Sequence, residues 1–206
     1  MIYNYKNLII LLILPLFCAC NVTNVSFMTE LQEKIHDKVK EVDQSLVYNE
    51  FFYVDIESQT LHHIKKGQFI KKYSISSSKY GTGSDSGSLR TPLGIHSIKQ
   101  KIGNQLPFAA ILKGRVWNGD IATIISENQD TDFDYVTSRI MWLEGLELGS
   151  NKGKGIDSFS RFIYIHGTAE EGLIGKPASD GCIRMYNADV IELFEISRSG
   201  MKVLIY

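Results

Sequence analysis

Charge of one sign is missing from this chain: 22 Lys and Arg stand against 23 Asp and Glu, a formal net charge of -1. Without a basic excess there is no electrostatic footprint for nucleic acid, so no nucleic-acid partner is expected. No long run of like charge marks an anionic surface as a partner either. An apolar run of about twenty residues, the length a permanent membrane helix needs, is absent too. Cysteine is scarce, at Cys18, Cys20 and Cys182 only. What is present is the composition of an ordinary globular protein, and 206 residues accommodate one domain plus a targeting or linker segment.

The N-terminus departs from that average. Lys6 precedes an apolar run from Leu8 to Phe17, followed by small residues around Cys18-Ala19-Cys20. This reads as an export signal over residues 1–19. Ala19-Cys20 resembles the cleavage box of bacterial lipoproteins, in which the cysteine after the cut is lipidated. The expectation is an exported protein of the periplasm or cell envelope, held at the membrane by lipid on Cys20. A plain cleaved signal or an uncleaved anchor is the alternative. With Cys18 removed and Cys20 lipidated, the mature domain keeps one thiol, Cys182. An unpaired thiol in an oxidising compartment is a liability unless it is buried or has a task. Its neighbours, Ser179-Asp180-Gly181, are those of a polar loop rather than a core.

Residues 20–48 read as a linker carrying one amphipathic helix, because Met28, Leu31, Ile35, Val39, Val42 and Leu46 recur at steps of three and four. It would serve as a spacer or brace. Three strands follow, Phe51 to Ile56, Leu61 to Ile64 and Phe69 to Ser76, with Lys66-Gly67 as the sharper turn. A Gly/Ser-rich loop from Ser77 to Ser88 leads through Arg90-Thr91-Pro92-Leu93-Gly94 into a short alternating strand. Residues 101–134 read as loops with one strand near Ile121 to Ile125. Tyr135 to Leu143 has strand character, and Arg161 to Ile165 is a β-rich run ending at His166. Asn187 is expected to cap a helix through Ala188 to Ser197, closed by Gly200, before a last strand from Met201 to Tyr206. Strands dominate, with one or two helices against them.

Chemistry concentrates in Ile165-His166-Gly167-Thr168 and in Ser179-Asp180-Gly181-Cys182-Ile183-Arg184-Met185. A free thiol has a pKa near 8.5, and an imidazolium beside it would lower that value and later return a proton to a leaving amine. Gly181 would let backbone N–H groups approach an oxyanion, and Arg184 could grip a carboxylate.

The string "YIHGTAEEGLIGKPASDGCIRM" resembles the L,D-transpeptidase (YkuD) catalytic domain, whose signature is His-Gly, a gap of about fifteen residues and then Ser-x-Gly-Cys-x-Arg or Asn. The upstream "SLRTPLGIHSI" and the hairpin opening at Phe51 agree with it, so the likeness spans residues 49–206. It implies a mainly β fold with minor α, a sandwich or barrel with a helix after the cysteine and the N-terminal helix before it. It also implies Cys182 as nucleophile, His166 as general base and acid, and the Gly167 carbonyl orienting the imidazole. Ser179, Asp180, Gly181 and Arg184 become oxyanion or substrate-binding residues. The implied partners are peptidoglycan stem peptides, with a stem amine, a lipoprotein lysine or water as acceptor. No metal or other cofactor is implied. Many members carry His where this chain has Asp180, so any contribution of a second histidine is missing. A wall-binding lipoprotein with a silent thiol is the non-enzymatic alternative.

The other conspicuous residues have plainer readings. His62 and His63 adjoin in a strand, point to opposite faces and cannot chelate together, which leaves surface or packing roles. His36 and His96 have no ligand-spaced partner. Gly81-Thr82-Gly83 lacks the rest of a phosphate loop and fits the border of a cleft. Trp117 and Trp142 lack the basic stripe of a nucleic-acid platform and read as core or cleft wall.

Overall fold

The computed structural model describes residues 29–131 and 134–206. Two helices, α1 (Glu30–Val42) and α2 (Asn187–Ile196), accompany ten strands. These are β1 (Glu50–Asp55), β2 (Thr60–Lys65), β3 (Gln68–Ser76), β4 (Gly94–Ile102), β5 (Ala110–Lys113), β6 (Val116–Ile121), β7 (Val136–Gly145), β8 (Tyr164–Thr168), β9 (Ile183–Met185) and β10 (Lys202–Ile205). The sheet order is β4-β10-β1-β2-β3-β9-β8-β7-β5-β6, and β4 also pairs with β7. The strands from β4 round to β7 therefore close on themselves as a barrel, which removes most exposed edges. The β5–β6 hairpin hangs from β7 outside the closure.

Alternation along the strands decides what faces inward. In β1, Phe52 and Val54 join the main core with Leu61, Ile75, Ile98, Met141, Ile165, Ile183 and Val203, while Phe51 and Tyr53 face the other way. That outer face is covered by α1, whose Ile35 and Val39 meet Phe51, Tyr53, Ile64 and Leu204. Both faces of β1 are thus buried, as its apolar sequence requires. Helix α2 contributes Val190, Leu193 and Phe194 to the main core. Lys66 and Gly67, both at positive φ (51° and 74°), make the two-residue turn between β2 and β3.

Several boundaries differ from the sequence reading. Helix α1 starts at a capping box, in which Thr29 Oγ1 accepts from Gln32 N–H and Gln32 accepts from Thr29 N–H, and it stops at Val42. Leu46 belongs to a separate 3-10 turn, Gln44–Tyr48, begun by Asp43. Its apolar side chain fits the helical period but reaches the same patch from that turn. Met28 and the expected export segment lie outside the described residues, Cys20 among them. Residues 101–134 hold the β5–β6 hairpin, and the stretch after Ile121 is not a strand. Glycines and exposed side chains hid that hairpin: every residue of β6 is exposed. Asn187 is not the cap of α2 but its first residue. Tyr186 occupies the cap position without a side-chain bond, because the Asn187 side chain is engaged elsewhere. The helix ends at Ile196 with Ser197 as its C-cap, and Gly200 turns the chain three residues after that cap at φ 83°.

Candidate active site

His166 sits in the middle of β8 rather than at its exit, since pairing continues to Thr168. Strand β9 runs parallel to β8, with Ile165 opposite Ile183 and His166 opposite Arg184. Residues in register share a face, as do residues two apart. Ile165 and Ile183 therefore enter the main core, while Tyr164, His166 and Arg184 project from the opposite face. Cys182, two residues before Arg184, packs on that same face beside Tyr164 and Trp142. The barrel wall brings the two predicted reactive residues to one surface, although fifteen residues of chain separate them.

The loop that carries Cys182 is fixed from three sides. Ser179 Oγ donates to the Cys182 carbonyl at 2.6 Å and accepts from Gly181 N–H at 3.2 Å. Ser179 N–H bonds Ser77 O, and Lys79 N–H returns to Ser179 O, tying the loop to the chain after β3. Thr91 Oγ1, from the Arg-Thr-Pro-Leu-Gly segment, donates to Gly181 O at 3.1 Å. Gly181 has φ 119°, open to glycine but strained for other residues, and its α-carbon faces the Leu89 and Arg90 carbonyls. Ser179 and Gly181 thus shape the loop, and the Gly181 N–H is held by Ser179. Asp180 points to Lys79, whose Nζ lies 3.6 Å from it and 3.2 Å from Asp130.

His166 Nδ1 lies 2.8 Å from the Gly167 carbonyl. A carbonyl only accepts, so Nδ1 carries the proton and Nε2 is left with a lone pair. Gly167 does more than supply that oxygen: a Cβ there would come within 2.7 Å of Asn187 Oδ1 and 2.9 Å of Thr137 O. Asn187 fills that space, accepting from Thr137 and Ser138 hydroxyls and donating to Thr168 O and Glu171. Cys182 Sγ donates to Phe162 O at 3.3 Å and accepts from Tyr164 N–H at 3.4 Å. Burial pushes the thiol up to about 12, against the Tyr164 N–H, which stabilises thiolate. Burial also lowers the His166 imidazole. Burial thus favours the neutral form of each group, where the sequence pointed to a thiolate beside an imidazolium. The difference comes from desolvation, which disfavours both charges at once.

Arg184 is 1% exposed, and the carboxylates it meets are the chain's own. Its Nη1 bonds Glu170 at 2.9 Å and its Nη2 bonds Asp134 at 2.9 Å. Glu170 also accepts from the N–H and hydroxyl of Thr131, so this pair gathers Thr131 and Asp134 beside the site. Sequence reasoning missed Asp134, Glu170 and Asn187. Each is a polar residue in a polar stretch, and nothing in the pattern separates a buried acid from a solvated one.

Of the other singled-out residues, His62, His63 and His96 bond partners away from Cys182. His62 and His63 are buried in β2, bonded to Thr60 and Glu50. His96 is buried in β4. Trp142 stacks on Phe159 with centroids 4.0 Å apart, while Trp117 lies on the exposed hairpin. Thr82 bridges to Thr91, which places Gly81-Thr82-Gly83 beside the segment that clamps the Cys182 loop.

A closed β-barrel with histidine and cysteine on one outer face defines the class, and sequence comparison places the chain within it. The chain belongs to the L,D-transpeptidase catalytic domain family (YkuD), whose model matches residues 49–205. Among curated relatives, YqjB of Bacillus subtilis (strain 168), named as an L,D-transpeptidase, is 48% identical over 52 residues, 25% of this chain and 28% of that protein. YkuD of the same organism, likewise named, is 56% identical over 41 residues, 20% of this chain and 25% of that protein. The matches thus span about a quarter of each relative. Among solved structures, an L,D-transpeptidase from Mycobacterium smegmatis aligns with 77% of this chain and 58% of its own, at 13% identity and TM-score 0.46. The catalytic domain from the E. faecium L,D-transpeptidase aligns over 77% of this chain and 98% of its own, at 19% identity and TM-score 0.45.

Proposed function

We propose that this chain is a peptidoglycan L,D-transpeptidase acting through a thioester on Cys182. One observation carries the reading: His166 and Cys182 stand on one face of paired strands, and the bond from Nδ1 to Gly167 leaves Nε2 as the only imidazole atom able to take the thiol proton. The donor is a tetrapeptide stem, cut between a third-position diaminopimelate and D-alanine. As Sγ bonds the scissile carbonyl carbon, its proton passes to Nε2. When the C–N bond breaks, the imidazolium returns that proton to the departing D-alanine amine. A side-chain amine of a second stem then attacks the thioester, losing a proton to Nε2, and sulfur leaves with that proton restored. Starting from two neutral groups costs less desolvation than holding a buried ion pair through the resting state. The export signal and Ala19-Cys20 support action in the cell envelope from a lipid anchor.

The test is mass spectrometry of the purified protein with tetrapeptide stems. Wild type is expected to gain the acyl mass on Cys182 and release D-alanine, and Cys182→Ala to do neither. Loss of the acyl group to water would define a carboxypeptidase, and transfer to a protein lysine an attachment enzyme. No adduct on Cys182 with any stem would refute the reading and leave a wall-binding role. In cells, labelling by a fatty-acid probe should vanish in Cys20→Ser; equal labelling of the two proteins would remove the lipid anchor.

A further inference from the structure

The tip of the β5–β6 hairpin places a cation beside the nucleophile. Gly114 and Arg115, at φ 57° and 70°, form the two-residue turn between the paired residues Lys113 and Val116. A positive φ is uncommon for arginine. The side chain folds back onto the site: its guanidinium carbon lies 4.7 Å from the Trp142 ring centroid and 5.2 Å from that of Phe162. Its Nη1 donates to the Tyr164 hydroxyl at 3.2 Å. Two of these three residues also hold the sulfur, through the Phe162 carbonyl and the Tyr164 N–H. Among the described residues no carboxylate pairs with Arg115, whereas Arg184 meets two and the nearby Arg161 is spent on the Gly83 and Arg90 carbonyls and the Ser88 hydroxyl. A guanidinium has five N–H donors in a planar fork, and stacking on aromatic faces orients the fork without consuming it. The Tyr164 hydroxyl accepts from Arg115 and retains its own proton to donate.

We propose that Arg115, with the Tyr164 hydroxyl, binds a substrate carboxylate next to Cys182. Resting on the transpeptidase reading, that carboxylate is the free C-terminus of the donor stem. It is three bonds from the scissile carbonyl carbon, which must come within about 3.5 Å of sulfur to react. A stem ending in a free acid is thereby distinguished from the same stem ending in an amide or extended by a further residue. The hairpin acts as a reader of the chain end, and its exposed outer strand leaves the tip reachable from solvent.

Two measurements separate this inference from the function it rests on. The first uses the full chain with iodoacetate and iodoacetamide, each forming an S–C bond at Cys182 with loss of iodide, read on the Cys182 peptide by mass. The ratio of the iodoacetate rate to the iodoacetamide rate is expected to fall at least about fivefold in Arg115→Gln and to be mostly retained in Arg115→Lys, as for a partly exposed charge-assisted contact. A ratio unchanged within about twofold in Arg115→Gln would overturn the proposal. The second compares stems ending in carboxylate and in carboxamide. Arg115→Gln should raise KM for the acid about tenfold with kcat little changed, and leave the amide unaffected. Equal losses on both stems would show a structural role and overturn it. If the alkylation ratio falls while wild type acylates on no stem, the carboxylate site stands and the peptidoglycan reading fails.

Discussion

Arg184 stands two residues beyond the nucleophile and is committed to Glu170 and Asp134. Its head group bonds Glu170, which is itself 1% exposed, and a buried carboxylate is costly without such a partner. Removing one partner of such a pair costs more than the pair contributes, because the other charge stays buried. Arg184→Met is therefore expected to destabilise the fold by about 3–5 kcal/mol. Adding Glu170→Gln should recover part of that loss, since the remaining amide is neutral. Denaturant unfolding of the single and double variants checks this; a double variant no more stable than Arg184→Met would mean that packing, not charge, is what Arg184 supplies. Asp180 is a different kind of neighbour. It lies toward solvent beside Lys79, away from the sulfur's own partners.

At the level of elements, legibility followed the strength of the periodic signal. β1 alternates between two buried layers and was readable, as was the Lys66-Gly67 turn, because each expresses a local rule. The His166 and Cys182 strings were readable as motifs, and their meeting follows from the parallel pairing of β8 with β9, a contact between segments that no local pattern encodes. The β5–β6 hairpin was lost because it buries few side chains on its outer strand, so hydrophobic alternation had nothing to mark. Asn187 misled for a related reason. Its residue type fits a helix cap, yet four side-chain bonds to Thr137, Ser138, Thr168 and Glu171 outweigh that local preference. Helix α1 was legible in its apolar stripe, and its place on β1, β2 and β10 became clear only once those strands exposed an apolar outer patch.

For the whole molecule, the buried histidines set the response to acid. His96 Nδ1 donates to the Gly94 carbonyl at 3.0 Å, and its Nε2 faces Ser158 Oγ at 3.0 Å. Burial, opposed by the Gly94 bond, lowers it from 6.5 to about 4. A depressed value means that the fold prefers neutral imidazole, so its contribution is complete above pH 6.5 and is lost as pH falls toward 4. The loss attributable to His96 is about 3 kcal/mol. His62 and His166, also lowered by burial, act in the same direction. Urea unfolding between pH 7 and pH 4 should show the decline, and His96→Gln should flatten it in part; an identical slope in that variant would clear His96 of the effect. β10, made of residues 202–205, lies between β4 and β1, second in the sheet order. A ribosome has to finish that segment before β1 and β4 acquire the neighbour that joins them. Until then the nascent chain lacks a closed core, and the cooperative step of folding waits for residues 202–205.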